Sequence, residues 1–170
     1  PELRDAAETI GGGKAEARAR DEARGALVRG ALTLRGIEGA DEARLRALTG
    51  LARSAVEAAL QLLSTRGEAI CWDKENRCWI GKIPFEKLLA ASLERGVDLH
   101  RREPLKPGFT RGALCTGWSR NLPPKLVQKV LDQALKQGDL VTEGEGLRLQ
   151  SHTVSLAADQ AGVRQKLLDA

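Results

Sequence analysis

Three features of the 170-residue sequence predict a mainly α fold with small β-hairpins (α+β), built twice in succession. Aromatic residues make up only 3% of the chain, with three Trp, two Phe and no Tyr. Sandwiches and barrels lean on aromatic and β-branched side chains. Ala and Leu are abundant instead, and both favour helix. The third feature is a repeat. Advancing 71 positions carries Leu51 onto Leu122, Val56 onto Val127, Leu60 onto Leu131, Gly67 onto Gly138, Glu68 onto Asp139 and Ile70 onto Val141. Helix face, terminating glycine, acidic residue and strand start all coincide, and a period this long suits tandem small domains better than a solenoid.

Residues 1–20 are rich in Ala, Arg and Glu and are interrupted by Gly11-Gly12-Gly13. The chain entropy of three glycines opposes helix propagation, so this stretch reads as a flexible or helical leader, helical from about Ala15. Regular structure is expected from Asp21. Leu27, Ala31 and Leu34 recur at helical spacing. Gly36 and Gly39 follow, and Asp41 is suited to N-cap a helix carrying Ala43, Leu45 and Leu48. After a turn at Thr49-Gly50, the residues Ala55, Val56, Ala59, Leu60 and Leu63 form one face of a longer helix. Gly67 ends it as a C′ glycine. Residues 68–72 and 78–80 read as two short strands around a polar turn. Three helices and then a hairpin is the element order of a winged helix, assigned to residues 21–83.

A second winged helix is assigned to residues 84–152. Pro84 is favourable in a first helical turn, and Phe85, Leu88, Leu89 and Leu93 carry that helix toward His100. Pro104-Leu105-Lys106-Pro107-Gly108 is excluded from helix and forms a rigid extended turn. Thr110 is suited to cap a short helix through Leu114. Pro123-Pro124 opens the third helix, with Leu126, Val127, Val130, Leu131, Ala134 and Leu135 along it, and Gly138 stops it. Leu140-Val141 and residues 147–149 form the second hairpin. Beyond it, Leu156, Val163, Leu167 and Leu168 read as the opening helix of a truncated third unit, residues 153–170. With no Met and a start at Pro1, the chain reads as a piece of something larger.

Composition and inventory then exclude functions. No apolar run approaches the ~20 residues of a membrane span, and no charged-then-apolar leader marks secretion. A cytoplasmic monomer is expected. Cys71, Cys78 and Cys115 are an odd number and a poor disulfide framework. Cys71 and Cys78 read as reduced, half-buried thiols, with a pairing across the hairpin as the alternative. Neither Cys-x-x-Cys nor paired His supplies a zinc site. His100 and His152 are the only imidazoles. No phosphate loop or dinucleotide fingerprint is present, and Gly11–Gly13 lies in no strand–turn–helix frame. His100, beside Arg101 and Arg102, reads as a structural or capping residue, and Cys115 as buried. No catalytic residue, metal or cofactor is assigned to this stretch.

Charge leaves nucleic-acid binding open. The formal net charge is +4, yet residues 1–99 balance 16 basic against 16 acidic side chains. Residues 100–137 hold eight basic against two acidic, and a local surplus of that kind can hold phosphate by counterion release. Arg101, Arg102, Lys106, Arg111, Arg120, Lys125 and Lys129 are the contact candidates. A solubilising surface accounts for the same charges. Three details weigh against binding. The second hairpin tip, Glu143-Gly144-Glu145-Gly146, is acidic. The outward residues Arg53, Glu57 and Gln61 of the first copy's third helix are close to neutral. No aromatic platform for base stacking adjoins the basic residues, and Trp72 and Trp79 read as core plugs beneath the first hairpin.

The stretch His100-Arg101-Arg102-Glu103-Pro104-Leu105-Lys106-Pro107-Gly108-Phe109-Thr110-Arg111 resembles a segment of the bacterial selenocysteine-specific elongation factors. Leu122-Pro123-Pro124-Lys125-Leu126, Gly138-Asp139-Leu140-Val141 and Leu147-Arg148-Leu149 with His152 follow the same family's pattern in order. Leu48-Thr49-Gly50-Leu51, Gly67-Glu68-Ala69-Ile70 and Trp79-Ile80 extend the likeness into the first copy. The resemblance covers about residues 25–168 and is most specific at 100–111. It implies a GTPase body, using GTP and Mg, that delivers selenocysteyl-tRNA to the ribosome, and a tail of tandem winged helices that recognises an mRNA hairpin beside a recoded UGA codon. On that reading the chain is the first two winged helices of the tail, a spacer and relay that touches RNA or ribosome through the candidates above. The alternative is a stand-alone tandem winged-helix DNA-binding or protein-docking module.

Overall fold

The structure, a computed structural model, describes residues 2–152, with side chains from residue 13 onward. The expected third unit lies outside the described residues. The chain divides into two compact units, Pro1–Glu86 and Lys87–Ala170.

The first unit opens with helix α1 (Glu2–Arg35). Gly11-Gly12-Gly13 does not interrupt it, contrary to the sequence expectation. A mid-helix glycine costs only about 1 kcal/mol relative to Ala, and the flanking Ala, Arg and Glu are strong helix formers. Residues 13–23 are exposed on every side. Burial begins at Gly25 and continues in the stripe Val28, Ala31 and Leu32, whereas Leu27 and Leu34 are 52% and 78% exposed. The expected apolar face is therefore turned by about one residue from the real one. Both stripes have helical spacing, and only the packing of α1 on the rest of the unit chooses between them.

Gly39 leads into β1 (Ala40–Asp41), a two-residue strand that the sequence does not announce. It pairs antiparallel with β3 (Cys78–Gly81), Ala40 opposite Trp79 and Asp41 opposite Cys78. Together with β2 (Ala69–Asp73) it makes a sheet of order β1-β3-β2. Asp41 then caps α2 (Glu42–Thr49), its carboxylate accepting the Arg44 N–H at 2.7 Å. Helix α3 (Arg53–Thr65) buries Ala55, Val56, Ala59, Leu60 and Leu63, the five residues its periodicity selects. They join Val28, Leu32 and Leu45 in one core, with Trp79 packed against it. Gly67 adopts φ 69° and donates to the Ser64 carbonyl at 3.0 Å, while Glu68 N–H reaches Leu63 at 2.8 Å. The hairpin turn is tied by the buried Asp73 carboxylate, which accepts from the Glu75 and Asn76 backbone N–H and from Asn76 Nδ2.

The second unit repeats this plan. Helix α4 (Lys82–Arg102) starts two residues before the expected Pro84, and the unit boundary falls within it. Thr110 caps α5 (Arg111–Cys115) by accepting from the Ala113 N–H at 3.2 Å. Helix α6 (Pro124–Gln137) buries Leu126, Val130, Leu131 and Ala134. Strands β4 (Leu140–Glu143) and β5 (Gly146–Leu149) close an antiparallel hairpin with Leu140 opposite Leu149. The helix stop is copied bond for bond. Gly138 N–H reaches Leu135 at 3.2 Å and Asp139 N–H reaches Ala134 at 3.0 Å. Even β1 has its counterpart, because Phe109 and Leu147 exchange two backbone hydrogen bonds, at 2.8 and 2.9 Å. Leu114, Leu131, Ala134, Leu140, Leu147 and Leu149 form the core, lined by Leu89, Leu93, Phe109 and Trp118. Each unit thus has the helix–strand–helix–helix–hairpin order of a winged helix.

Candidate nucleic-acid interface

The third helix of each unit carries its apolar residues on one face and leaves the opposite face outward. On α6 that face holds Lys125, Gln128, Lys129, Asp132 and Lys136. At 3.6 residues per turn, Lys125, Lys129 and Lys136 fall within about 40° of one another around the helix axis. Lys125 and Lys136 are exposed, and Lys129 is half-buried. Asp132 stands among them and accepts a hydrogen bond from Gln128 Nε2 at 2.6 Å.

On α3 the positions matching these lysines are Ser54, Ala58 and Thr65, all exposed and uncharged. Glu57, which matches Gln128, is clamped by Arg53 Nε and by Arg77 Nη1, each at 2.9 Å. The Arg53 hydrogen bond, aided by Arg77, holds the Glu57 carboxyl below the usual carboxylate range. Arg77 also reaches the buried Glu42 at 2.8 Å. The cations beside this face neutralise the unit's own carboxylates and offer little to an external anion.

The other candidate cations are spread along the second unit. Arg101 and Arg102 end α4, and Arg101 pairs with Asp98 at 3.2 Å. Lys106 lies in the loop after α4 and pairs with Glu103 at 2.7 Å. Arg111 is the first residue of α5, and Arg120 sits in the turn before α6, both exposed. Lys125 and Lys129 are the two candidates brought into one row. Lys136 completes that row. It is absent from the candidate set, although its position eleven residues after Lys125 was available from helical spacing. The hairpin tip is acidic as expected, with Glu143 and Glu145 exposed and Glu143 drawn to Arg148 at 3.2 Å.

The remaining chemistry-bearing side chains have structural surroundings. His100 is buried, its Nε2 accepts the Leu149 N–H at 3.3 Å, and its ring stacks on His152 at 3.6 Å. Burial, reinforced by His152 and Arg148, pushes its pKa below the ordinary 6.5. Burial likewise pushes the Cys115 thiol up, against the opposing pull of Arg111, the reverse of what a nucleophilic thiolate needs. The strand register sets Cys71 opposite Trp79, so the alternative of Cys71 facing Cys78 across the hairpin is excluded. Both are half-buried, and their thiols donate to the Asp73 and Asn76 carbonyls at 3.6 Å each. Among the described residues, no group of three or more His, Cys, Asp or Glu is placed to hold a metal ion, and no helix is long and apolar enough to cross a membrane.

Comparison with known proteins finds similarity to one family. Residues 97–149 match the family described as elongation factor SelB, winged helix. The second unit is thus similar to a SelB winged helix. The chain is also 35% identical over 133 residues to the selenocysteine-specific elongation factor of Desulfomicrobium baculatum, an alignment covering 78% of this chain and 21% of that protein. It therefore spans about a fifth of the length of that relative. Among solved structures, the mRNA-binding domain of elongation factor SelB from E. coli, in complex with SECIS RNA, superposes with a TM-score of 0.51 at 15% identity. That match covers 74% of this chain and 95% of the other, and it is a likeness of fold. The resemblance read from residues 100–111 and their surroundings is to this same SelB family.

Proposed function

We propose that this chain is the tandem winged-helix piece of a selenocysteine-specific elongation factor. It acts as spacer and relay between a GTP-binding body and the end of the factor that reads an mRNA hairpin beside a recoded UGA codon. The observation that carries the reading is the SelB winged-helix match across residues 97–149, set within 35% identity over 133 residues to a selenocysteine-specific factor. A helix-and-hairpin plan with no catalytic constellation suits a lever between two working ends, and fold by itself does not choose a function. GTP and Mg belong to the body of the parent factor. Selenocysteyl-tRNA and ribosome are its partners, and the cytoplasm is its setting.

The test is UGA readthrough in a selenoprotein reporter, with the matching segment of a selenocysteine-specific factor replaced by this chain. Sustained readthrough supports the reading. Loss of readthrough despite normal accumulation of the chimera counts against it, as does tight binding of the chain to random duplex DNA at physiological salt without any preference for RNA. In the same factor, Lys125→Glu with Lys129→Glu is expected to lower readthrough several-fold. An unchanged level would make the basic surplus a solvated surface only.

A further inference from the structure

We infer that a stacked pair of imidazoles, His100 and His152, locks the end of the second unit, and that protonation of the pair opens the lock while the unit's core stays folded. The lock is independent of the functional reading above. It shows itself where the two units close the same corner in different ways.

Both hairpins finish on one bond. Lys82 N–H reaches the Glu68 carbonyl at 2.9 Å, and Gln150 N–H reaches the Asp139 carbonyl at 3.0 Å. Ala69 pairs with Gly81 as Leu140 pairs with Leu149, so Gly81 and Leu149 occupy matching places. In the first unit that place is walled by apolar side chains. A Cβ on Gly81 would lie 3.5 Å from Pro84 and 3.7 Å from Leu32, and the unit contains no histidine. The chain there runs directly into α4.

In the second unit the corner is a turn held by side chains. His152 N–H donates to the Leu149 carbonyl at 3.0 Å. Arg148 Nη1 donates to the Leu149 and His152 carbonyls at 3.2 and 2.7 Å. From α4, His100 Nε2 accepts the Leu149 N–H at 3.3 Å, and its ring lies 3.6 Å from that of His152, the planes 13° apart. Nε2 accepts that bond only while it carries no proton. A protonated Nε2 is a donor facing a donor, and a charge on His152 as well sets two cations face to face.

The charges that face the pair oppose a proton. Arg148 of β5 is a cation whose partner, Glu143 of β4, is engaged with it at 3.2 Å. On α4, Asp98 is held by Arg101 at 3.2 Å, and Arg102 ends the helix. The segment before α5 presents the uncharged Phe109, 4.9 Å from His100, and Asp139 between α6 and β4 is exposed to water. His100 is only 7% exposed, and burial, His152 and Arg148 together push its pKa below 6.5. His152 Nε2 is buried without a hydrogen-bond partner among the described residues, which costs the closed state stability. A closed state that leaves one polar atom unpaired and rejects a proton is poised to open in mild acid.

Nuclear magnetic resonance of the isotope-labelled 170-residue chain tests the lock through hydrogen exchange at the Leu149 amide, which bonds His100. A proton taken up on opening weakens the closed state by up to about tenfold per pH unit below the ordinary histidine pKa. Protection of the Leu149 amide, relative to an unstructured peptide at the same pH, is therefore expected to fall at least about tenfold between about pH 7.5 and about pH 5. The Leu131 amide in the core should stay protected, and Trp118 fluorescence should not change. His100→Gln supplies an amide oxygen that accepts without titrating, so its Leu149 protection should be the same at both ends of the range. His152→Phe keeps a stacking ring and removes one cation, so the loss should set in at higher pH.

Unchanged Leu149 protection in the parent chain overturns the inference. So does a loss in which Leu131 becomes unprotected at the same pH, which is acid unfolding of the whole unit. An equal pH dependence in His100→Gln, or an onset in His152→Phe at the parent's pH, overturns it as well. Should His100→Gln fail to fold, the parent chain and His152→Phe still decide. These outcomes are separate from the readthrough of the chimeric factor, which judges the functional reading itself.

Discussion

Gly39 and Gly108 stand at matching places, each one residue before the point where the chain meets the last strand of its hairpin. A Cβ on Gly108 would lie 2.7 Å from the Leu147 carbonyl oxygen, and one on Gly39 would run into the Trp79 carbonyl oxygen. The obstacle in both cases is backbone, which cannot swing aside. Gly108→Ala is expected to break the paired Phe109–Leu147 hydrogen bonds and to destabilise the second unit by ~2 kcal/mol, from one or two lost or strained backbone bonds. Urea unfolding followed through Trp118 measures it, and a midpoint equal to the parent's would refute the clash. His100 makes a pH prediction at the same scale. Its folded pKa lies below the ordinary 6.5, so the unfolded chain takes up the proton first as pH falls. The stabilisation is complete above about 6.5 and is lost as pH drops from there toward the folded value. Stability of the second unit is expected to decline over that window, and His100→Gln should flatten the decline. An equally steep pH dependence in the variant would show that another group is responsible.

Among the elements, the capped helices were the most legible in the sequence. Asp41 and Thr110 are short polar side chains ahead of an apolar helical pattern, and each accepts the N–H three residues on. Asp41→Ala and Thr110→Ala are each expected to cost about 1 kcal/mol, read as a fall in melting temperature. A variant with the parent's melting temperature would remove the cap from the account. The apolar face of α3 and the stops at Gly67 and Gly138 were equally open to reading, because all their determinants lie within a few residues. Helix α1 was not. Leu27-Ala31-Leu34 and Val28-Ala31-Leu32 are both helical stripes, and the contact with α3 selects the second. Strand β1 left no signal, since two residues are too few to alternate and their partners in β3 lie almost forty positions downstream.

For the molecule as a whole, the two units keep one backbone plan and have diverged on their surfaces. The divergence explains why a net charge of +4 was informative only after it was located. It is absent from the first 99 residues and concentrated in the second unit, where α6 lines up three lysines and the hairpin tip opposes them with two glutamates.

The sequence by itself determined the helical class, the repeat, the caps and glycine stops, the location of the basic surplus and the family resemblance. All of these are written in local propensity, short-range spacing or motif. Tertiary structure alone decided which stripe of α1 is buried and that Phe109 bonds Leu147. It also decided that His100 serves the Leu149 backbone across 49 residues, and that Arg53 and Arg77 are engaged by Glu57. Each of these depends on partners brought together from distant parts of the chain, and no pattern confined to a few neighbouring residues carries that information.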